Sequence, residues 1–139
     1  MAESASRALV EVRLGGRRGG AGAGIIWHPQ GLSVTNAHVA SRGSLRVTLP
    51  GGATLPARLL AHDKERDLAA LMVDATGLPT IEIGNSKDLR PGQLVMALGH
   101  PWGVKGAATA GVVIGVGSGW PEMAGSPREW IGVSLRLRP

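Results

Sequence analysis

The chain has 139 residues, no cysteine, and 15 Lys and Arg against 10 Asp and Glu, for a net charge of +5. A chain of this length can bury one hydrophobic core, but it is short for two complete β-barrels. The missing cysteine excludes a disulfide framework, a thiolate metal site and a cysteine nucleophile, and a hydrophobic share of 43% argues against disorder.

Short apolar runs separated by glycine and proline dominate the sequence and predict an all-β fold. No amphipathic helix of ordinary length is predicted, only a helical turn near Ala37–Ala40. In chain order, the nine predicted strands are Val10–Leu14, Gly24–Trp27, Leu32–Thr35, Leu45–Leu49, Leu55–Ala61, Ala69–Val73, Leu94–Leu98, Ala108–Val116 and Trp130–Leu137. Strands at this spacing suggest a barrel or a sandwich.

The glycine-rich run Gly19–Gly24 precedes a predicted strand. A phosphate-binding loop would need a G-x-G-x-x-G or G-K-[ST] pattern that leads from a strand into a helix, and the run has neither. We therefore expect these glycines to allow positive φ angles and close backbone approach where the strand begins.

The charge and hydropathy patterns bear on partners and location. Basic residues are scattered, and only Arg17 and Arg18 are adjacent, whereas a nucleic-acid surface would cluster them with stacking aromatics, so no nucleic-acid partner is expected. No window approaches the ~18 apolar residues that a membrane-spanning helix needs. Residues Met1–Ser6 have no apolar stretch of signal-peptide length. The sequence as given therefore predicts a cytoplasmic location, or a periplasmic, extracytoplasmic one if a leader was removed.

Four histidines are candidates for chemistry, and none has a second ligand at zinc-site spacing, so neither a metal nor another cofactor is expected. His28 and His62 are predicted to be exposed loop residues. His100 opens a predicted turn and is expected to hydrogen-bond to nearby backbone. His38 differs because it follows a strand among small and apolar neighbours, where a partly buried ring needs a polar partner to fix its tautomer.

Asp67 is the predicted partner of His38. It lies where the polar loop Asp63–Arg66 meets the apolar strand Leu68–Leu71. A carboxylate at that junction is costly to bury unless it is paired or hydrogen-bonded. The residue types alone leave a structural pair and a catalytic pair equally open.

Five segments together resemble the HtrA (Deg) family of trypsin-like serine proteases. The segments Gly22–Ile26 and Gly31–Val39, with its T-N-A-H-V block, resemble the family's catalytic-histidine block, and Asp67–Leu71 resembles its catalytic-aspartate block. Leu89–Gly103 and Thr109–Val113 are similar to the start of its second barrel. The resemblance covers nearly the whole chain in order. It departs at His100, where asparagine is commoner, and at Ala70, where a larger apolar residue is usual.

The resemblance implies a chymotrypsin-like fold of two β-barrels and a triad in the order His, Asp, Ser. His38 would be the general base, and Asp67 would hold the imidazole in its productive tautomer and stabilise its cation. The first barrel is expected within residues 1–80, and the linker and first strands of an incomplete second barrel within 81–139. No PDZ domain is expected in these residues.

The family's nucleophile stands in a G-N-S-G-G-P turn, which is expected just after Pro139. Ser118, Ser126 and Ser134 are predicted to be loop or strand residues rather than substitutes for it. The resemblance therefore implies a serine endopeptidase acting on polypeptides, present as a fragment that is inactive alone.

The alternative is a non-catalytic, protease-like module that binds extended peptides by strand addition. An incomplete second barrel would expose strand edges, through which the chain could also form homo-oligomers.

Overall fold

The structure, a computed structural model, describes residues 2–16, 19–41, 43–100, 104 and 106–136. It divides into two units, the first made of residues 1–82 with 98–107 and the second of residues 83–97 with 108–139. Apart from one short helix, α1 (Ala2–Arg7), and two 3-10 turns, the described elements are strands. The all-β fold class is therefore confirmed.

The first unit is a closed barrel of six strands. The strands are β1 (Leu9–Leu14), β2 (Ala21–His28), β3 (Leu32–Thr35), β4 (Leu45–Thr48), β5 (Thr54–Asp63) and β6 (Leu68–Val73). They follow the order β1-β2-β3-β6-β5-β4, and β4 pairs with β1 to close the ring. Closure matters because it leaves no barrel strand with an open edge.

Small aliphatic side chains fill this barrel, as the absence of Phe and Tyr requires. The fully buried members include Val10, Val12, Ile26, Val47, Leu71 and Val73. Alternation explains the pattern in β4, where Leu45 and Val47 are buried and Arg46 is exposed. The core therefore depends on many small contacts rather than on one large ring.

The pairing of β3 with β6 brings the end of β3 next to the start of β6. Thr35, the last residue of β3, lies opposite Ala69 near the start of β6. The chain leaving β3 therefore runs beside the turn that joins β5 to β6. Residues far apart in sequence meet there because the strands are antiparallel.

A three-stranded sheet in the order β7-β8-β9 lies mostly in the second unit. The strands of this sheet are β7 (Leu94–Gly99), β8 (Ala107–Gly117) and β9 (Trp130–Val133), of which the end of β7 and the first residue of β8 belong to the first unit. The 3-10 turns are Ser86–Asp88 and Pro121–Met123. The indole of Trp120 packs so closely on β9 that a Cβ at Gly132 would overlap it. Apolar side chains of this unit remain exposed, with Leu94 at 74% and Ile114 at 55%.

All nine predicted strands are present; β3 has the predicted bounds, and the other eight have shifted ends. β2 begins at Ala21 and β5 continues to Asp63, both beyond the predicted bounds, whereas β9 ends at Val133. The last predicted residue of that strand, Leu137, lies outside the described residues. The strand ends differ because pairing with neighbours, rather than local alternation, decides where a ladder stops.

Helix α1 was not predicted, because six residues are too few to give a helical period. Its Arg7 donates to Glu3 one turn earlier, at 2.9 Å. Exposed pairs of this spacing stabilise a helix only weakly. Among the helices of the described residues, none has the length and apolar character needed to cross a membrane.

The glycine run behaves only partly as predicted. Close approach is confirmed at Gly22, where a Cβ would lie 2.6 Å from Val39 Cγ2. The prediction of positive φ is wrong, since no glycine within the described run 19–24 has one. The run lies mostly in or beside extended β2, where negative φ is the ordinary backbone conformation.

Candidate active site

His38 lies in a helical turn directly after β3, which confirms the turn predicted near Ala37–Ala40. The carbonyl of Asn36 accepts the N–H groups of Val39 at 3.1 Å and Ala40 at 3.2 Å. Val39 packs over Gly22, which has no side chain to obstruct it. The expectation that the His38 ring is partly buried is wrong, because its side chain is 71% exposed, so hydrogen bonds rather than packing must hold the ring.

Asp67 ends the turn between β5 and β6. Its φ is +52°, and it is the one non-glycine residue with a positive φ in the described part of the chain. Aspartate tolerates this left-handed region better than most residues. The Asn36 side chain donates to the Asp67 carbonyl at 3.2 Å, which ties the turn to the end of β3.

A second pair supports the same turn from its other end. Arg66 donates to both oxygens of Asp63, through its backbone N–H at 3.0 Å and its guanidinium at 2.8 Å. The guanidinium bond is the main cause of a lowered pKa for the Asp63 carboxyl. The turn that carries Asp67 is thus closed by its own side chains.

His38 and Asp67 lie in direct contact. Nδ1 of His38 is 2.7 Å from Oδ2 of Asp67, and the backbone N–H of His38 donates to Oδ1 at 2.9 Å. The Asn36 side chain donates to Oδ2 at 3.1 Å. Because an ionised carboxylate only accepts, the His38 proton is assigned to Nδ1 and the lone pair to Nε2.

The hydrogen bonds favour the charged form of Asp67. The backbone N–H of His38 is the main reason why the pKa of the Asp67 carboxyl lies below its ordinary value. The His38 ring and Asn36 lower this pKa further, while partial burial opposes them. A negative charge beside Nδ1 stabilises the imidazolium that forms when Nε2 takes a proton.

Nε2 of His38 has no hydrogen-bond partner among the residues that the structure describes. With Nδ1 engaged, this nitrogen is the acceptor that a general base needs. The pair can therefore accept a proton at one defined atom and hold the resulting cation.

The other histidines differ in environment. The prediction of an exposed loop is wrong for His62, which lies in β5, is half-buried, and has Nε2 2.9 Å from the carbonyl oxygen of Ala37. His28 is exposed as predicted, although it is the last residue of β2. His100 accepts the N–H of Gly106 at 3.0 Å, which confirms the predicted bond to nearby backbone.

Sequence reasoning missed two contributors, Asn36 and His62. Asn36 stands inside the T-N-A-H-V block, and an amide beside a histidine was a signal that could have found it. His62 follows a bulge in β5 between Leu59 and Ala61. A bulge shifts the alternation of side chains, so no local pattern shows which way His62 points.

The three serines considered as substitutes for the nucleophile either hydrogen-bond to nearby backbone or are exposed to solvent. Ser134 Oγ accepts the N–H of Val112 at 2.9 Å, and Ser126 Oγ accepts the N–H of Arg128 at 3.3 Å. Ser118 is exposed directly after β8. In the described part of the chain, no three His, Cys, Asp or Glu side chains are grouped as metal ligands.

Comparison with known proteins agrees with this architecture. A family model for the trypsin-like peptidase domain matches residues 22–136, so the chain belongs to the trypsin-like peptidase family. Among the proteins it resembles at 30% identity or more are relatives named as DegP-like and HTRA1A serine proteases and the HtrA-type protease AlgW.

Two relatives illustrate the match in sequence. Protease Do-like 1, chloroplastic, of Arabidopsis thaliana is 42% identical over 100 residues, which are 70% of this chain and 23% of that protein. A protein of Halomonas elongata, named as a probable periplasmic, DegP-like serine endoprotease, is 38% identical over 102 residues, which are 73% of this chain and 22% of that protein. The chain thus spans about a quarter of the length of these relatives.

Two solved structures show the same fold. The HtrA-type protease AlgW, solved with a tripeptide, has a TM-score of 0.78 at 30% identity, covering 83% of this chain and 38% of that one. The serine endoprotease from Yersinia pestis has a TM-score of 0.76 at 31% identity, covering 83% of this chain and 43% of that one.

Proposed function

We propose that this chain supplies the general base and the orienting carboxylate of a serine endopeptidase. His38 would take the proton of a serine hydroxyl on Nε2 and later give it to the leaving amine. Asp67 would keep the ring in that tautomer. The observation that carries the proposal is the double contact between His38 and Asp67, at 2.7 Å from Nδ1 and 2.9 Å from the backbone N–H.

The nucleophile is proposed to come from outside residues 1–139. No serine in the sequence stands in a G-N-S-G-G-P turn, and the run Gly84-Asn85-Ser86 continues into Lys87 instead of a second glycine. Without a nucleophile and its oxyanion hole, the remaining pair supports no peptide-bond hydrolysis. These residues alone are therefore proposed to be inactive.

Polypeptides are the proposed substrates, because the relatives are named as proteases. The proposed acid–base steps need only the imidazole, the carboxylate and a hydroxyl, so no cofactor is invoked for them.

A fluorophosphonate probe, which labels activated serines, tests both the role of His38 as the base and the inactivity of residues 1–139 alone. In a gene product that includes the G-N-S-G-G-P serine, we expect labelling that His38→Ala abolishes. The exposed His28→Ala variant is the matched control and should label normally. The 139-residue chain should form no adduct, and an adduct on Ser118, Ser126 or Ser134 would contradict the proposal.

A second candidate is a module that binds extended peptides by strand addition. It is favoured by the three-stranded sheet of the second unit, whose strand β9 ends the pairing order and carries Ile131 at 42% exposure. The same edge could join two copies of the chain. Peptide binding that survives His38→Ala, together with no probe labelling in any longer gene product, would favour this candidate.

The compartment is also a proposal. The cytoplasmic location inferred from the sequence stands against relatives whose names place them in the periplasm and the chloroplast. Fractionation of cells that express the complete gene decides between the cytoplasmic and the extracytoplasmic alternative.

A further inference from the structure

The environment of His62 is unexpected for a residue of a barrel strand. It is half-buried as the next-to-last residue of β5, close to the turn that carries Asp67, and it pairs across the ladder with Ala69. Its Nε2 lies 2.9 Å from the carbonyl oxygen of Ala37. Because a carbonyl oxygen only accepts, Nε2 must carry the proton and donate it.

This bond acts on the peptide group that joins Ala37 to His38. The carbonyl of that group accepts from His62, and its N–H donates to Oδ1 of Asp67 at 2.9 Å. In a trans peptide the C=O and N–H groups point in opposite directions. Two bonds on opposite sides therefore fix the rotation of the peptide plane, and both come from the same β5–β6 hairpin.

The orientation of the plane matters because the His38 side chain is 71% exposed. Little packing restrains the ring, so its direction follows from the backbone at Ala37 and His38. If the plane rotated, the Cα–Cβ bond of His38 would swing and the 2.7 Å contact with Asp67 would open.

We propose that His62 is a positioning residue for His38, which acts by donating to the Ala37 carbonyl. The inference rests on the proposed function, because it assigns His38 as the base. His62 contacts no reacting atom in this scheme. It supplies a fixed donor that keeps the base in register with its carboxylate.

The test compares His62→Gln with His62→Met. The two side chains are unbranched, neutral and similar in length, but only glutamine can donate to the carbonyl. His28→Gln is the control, because His28 is exposed and its ring accepts the N–H of nearby Gln30 at 3.3 Å.

Imidazole nitrogen spectra of the 139-residue chain, recorded where the ring is neutral, report the His38 tautomer directly. We expect the parent, His62→Gln and His28→Gln to hold the Nδ1–H form, and His62→Met to show a mixture of tautomers. Backbone amide spectra show whether the barrel is folded. A folded His62→Met chain with the parent tautomer, or equal losses in the Gln and Met variants, would overturn the inference.

Kinetics of a gene product that includes the nucleophile give the second readout. We expect His62→Met to lower kcat by about 10- to 100-fold with KM little changed, because a small displacement of the base is costly. The His62→Gln variant should retain most of the parent's kcat, because its side chain can still donate to the carbonyl. If His38→Ala abolishes activity and His62→Met does not lower it, only this inference fails. If His38→Ala stays active, the proposed function fails as well.

Discussion

The backbone and the ring of His38 bind opposite oxygens of the Asp67 carboxylate, at 2.9 Å to Oδ1 and 2.7 Å to Oδ2. The two bonds together fix both the position of the residue and the tautomer of its ring. Asn36 adds a third donor to the same carboxylate at 3.1 Å. Three donors on one anion explain why the site can be preorganised although it is largely exposed.

Replacing Asp67 by asparagine should disable the base while leaving its shape. An amide has one acceptor oxygen, and its NH2 group would face a donor, so one of the two His38 bonds is lost. In a gene product that includes the nucleophile we expect kcat to fall by about 10³- to 10⁴-fold. Steady-state hydrolysis of a peptide substrate measures this, with the exposed Asp74→Asn as control. A fall of less than about tenfold would contradict the assigned role.

The lowered pKa of Asp67 predicts a pH dependence of stability. A carboxyl whose pKa is depressed on folding stabilises the fold above its unfolded pKa of about 3.9, and this contribution is lost as the pH falls through the folded pKa. The free energy of unfolding should therefore drop less steeply below about pH 4 in Asp67→Asn than in the parent. Denaturant titrations from pH 6 to about pH 2 measure it.

Asp63 needs a separate comparison in the same window, because its carboxyl pKa is also lowered, mainly by Arg66. The Asp63→Asn variant should retain the part of the slope that belongs to Asp67. Identical acid slopes in the parent and in Asp67→Asn would show that Asp67 is not stabilised in its charged form.

A side chain at Gly22 should displace the turn that carries His38. The added Cβ of Gly22→Ala would lie 2.6 Å and 2.8 Å from the two methyl carbons of Val39. Overpacking of this kind costs about 1–3 kcal/mol of unfolding free energy. The double variant with Val39→Ala should recover part of the loss, and Gly20→Ala, with no neighbour within 4 Å, is the control. Equal stability of Gly22→Ala and Gly20→Ala would contradict the contact.

Ser33 is a site where a substitution should stabilise the barrel. Its hydroxyl is fully buried and has no hydrogen-bond partner among the described residues. On the ladder Ser33 pairs with Ile26 on one side and Leu71 on the other, both apolar. Ser33→Ala removes the unsatisfied group and should raise the free energy of unfolding by about 1 kcal/mol. The exposed Ser44→Ala should change it little, and a loss of stability in Ser33→Ala would contradict the prediction.

The strands could be predicted because their signal is local. Alternation in β4 and glycine or proline at the turns are properties of neighbouring residues, and these properties fixed the number of strands and their approximate places. Except in β3, the exact strand ends could not be predicted in this way. β5 reaches Asp63 because β6 pairs with it to that point.

The site was predictable in part. His38 and Asp67 were identified from their neighbours and from the family resemblance, whereas residue types alone left a structural pair and a catalytic pair open. His62 was assigned wrongly to a loop. The bulge between Leu59 and Ala61 precedes it, and the direction of a side chain beyond a bulge depends on the partner strand.

By itself, the sequence determined that the chain forms short strands with an aliphatic core, and it marked one imidazole and one carboxylate as candidates. Only the tertiary structure decided that they meet, because the contact joins residues 29 positions apart. That contact depends on the antiparallel register of β3 with β6, which places Thr35 opposite Ala69. Register is a property of two strands together, and one strand's own pattern leaves it open.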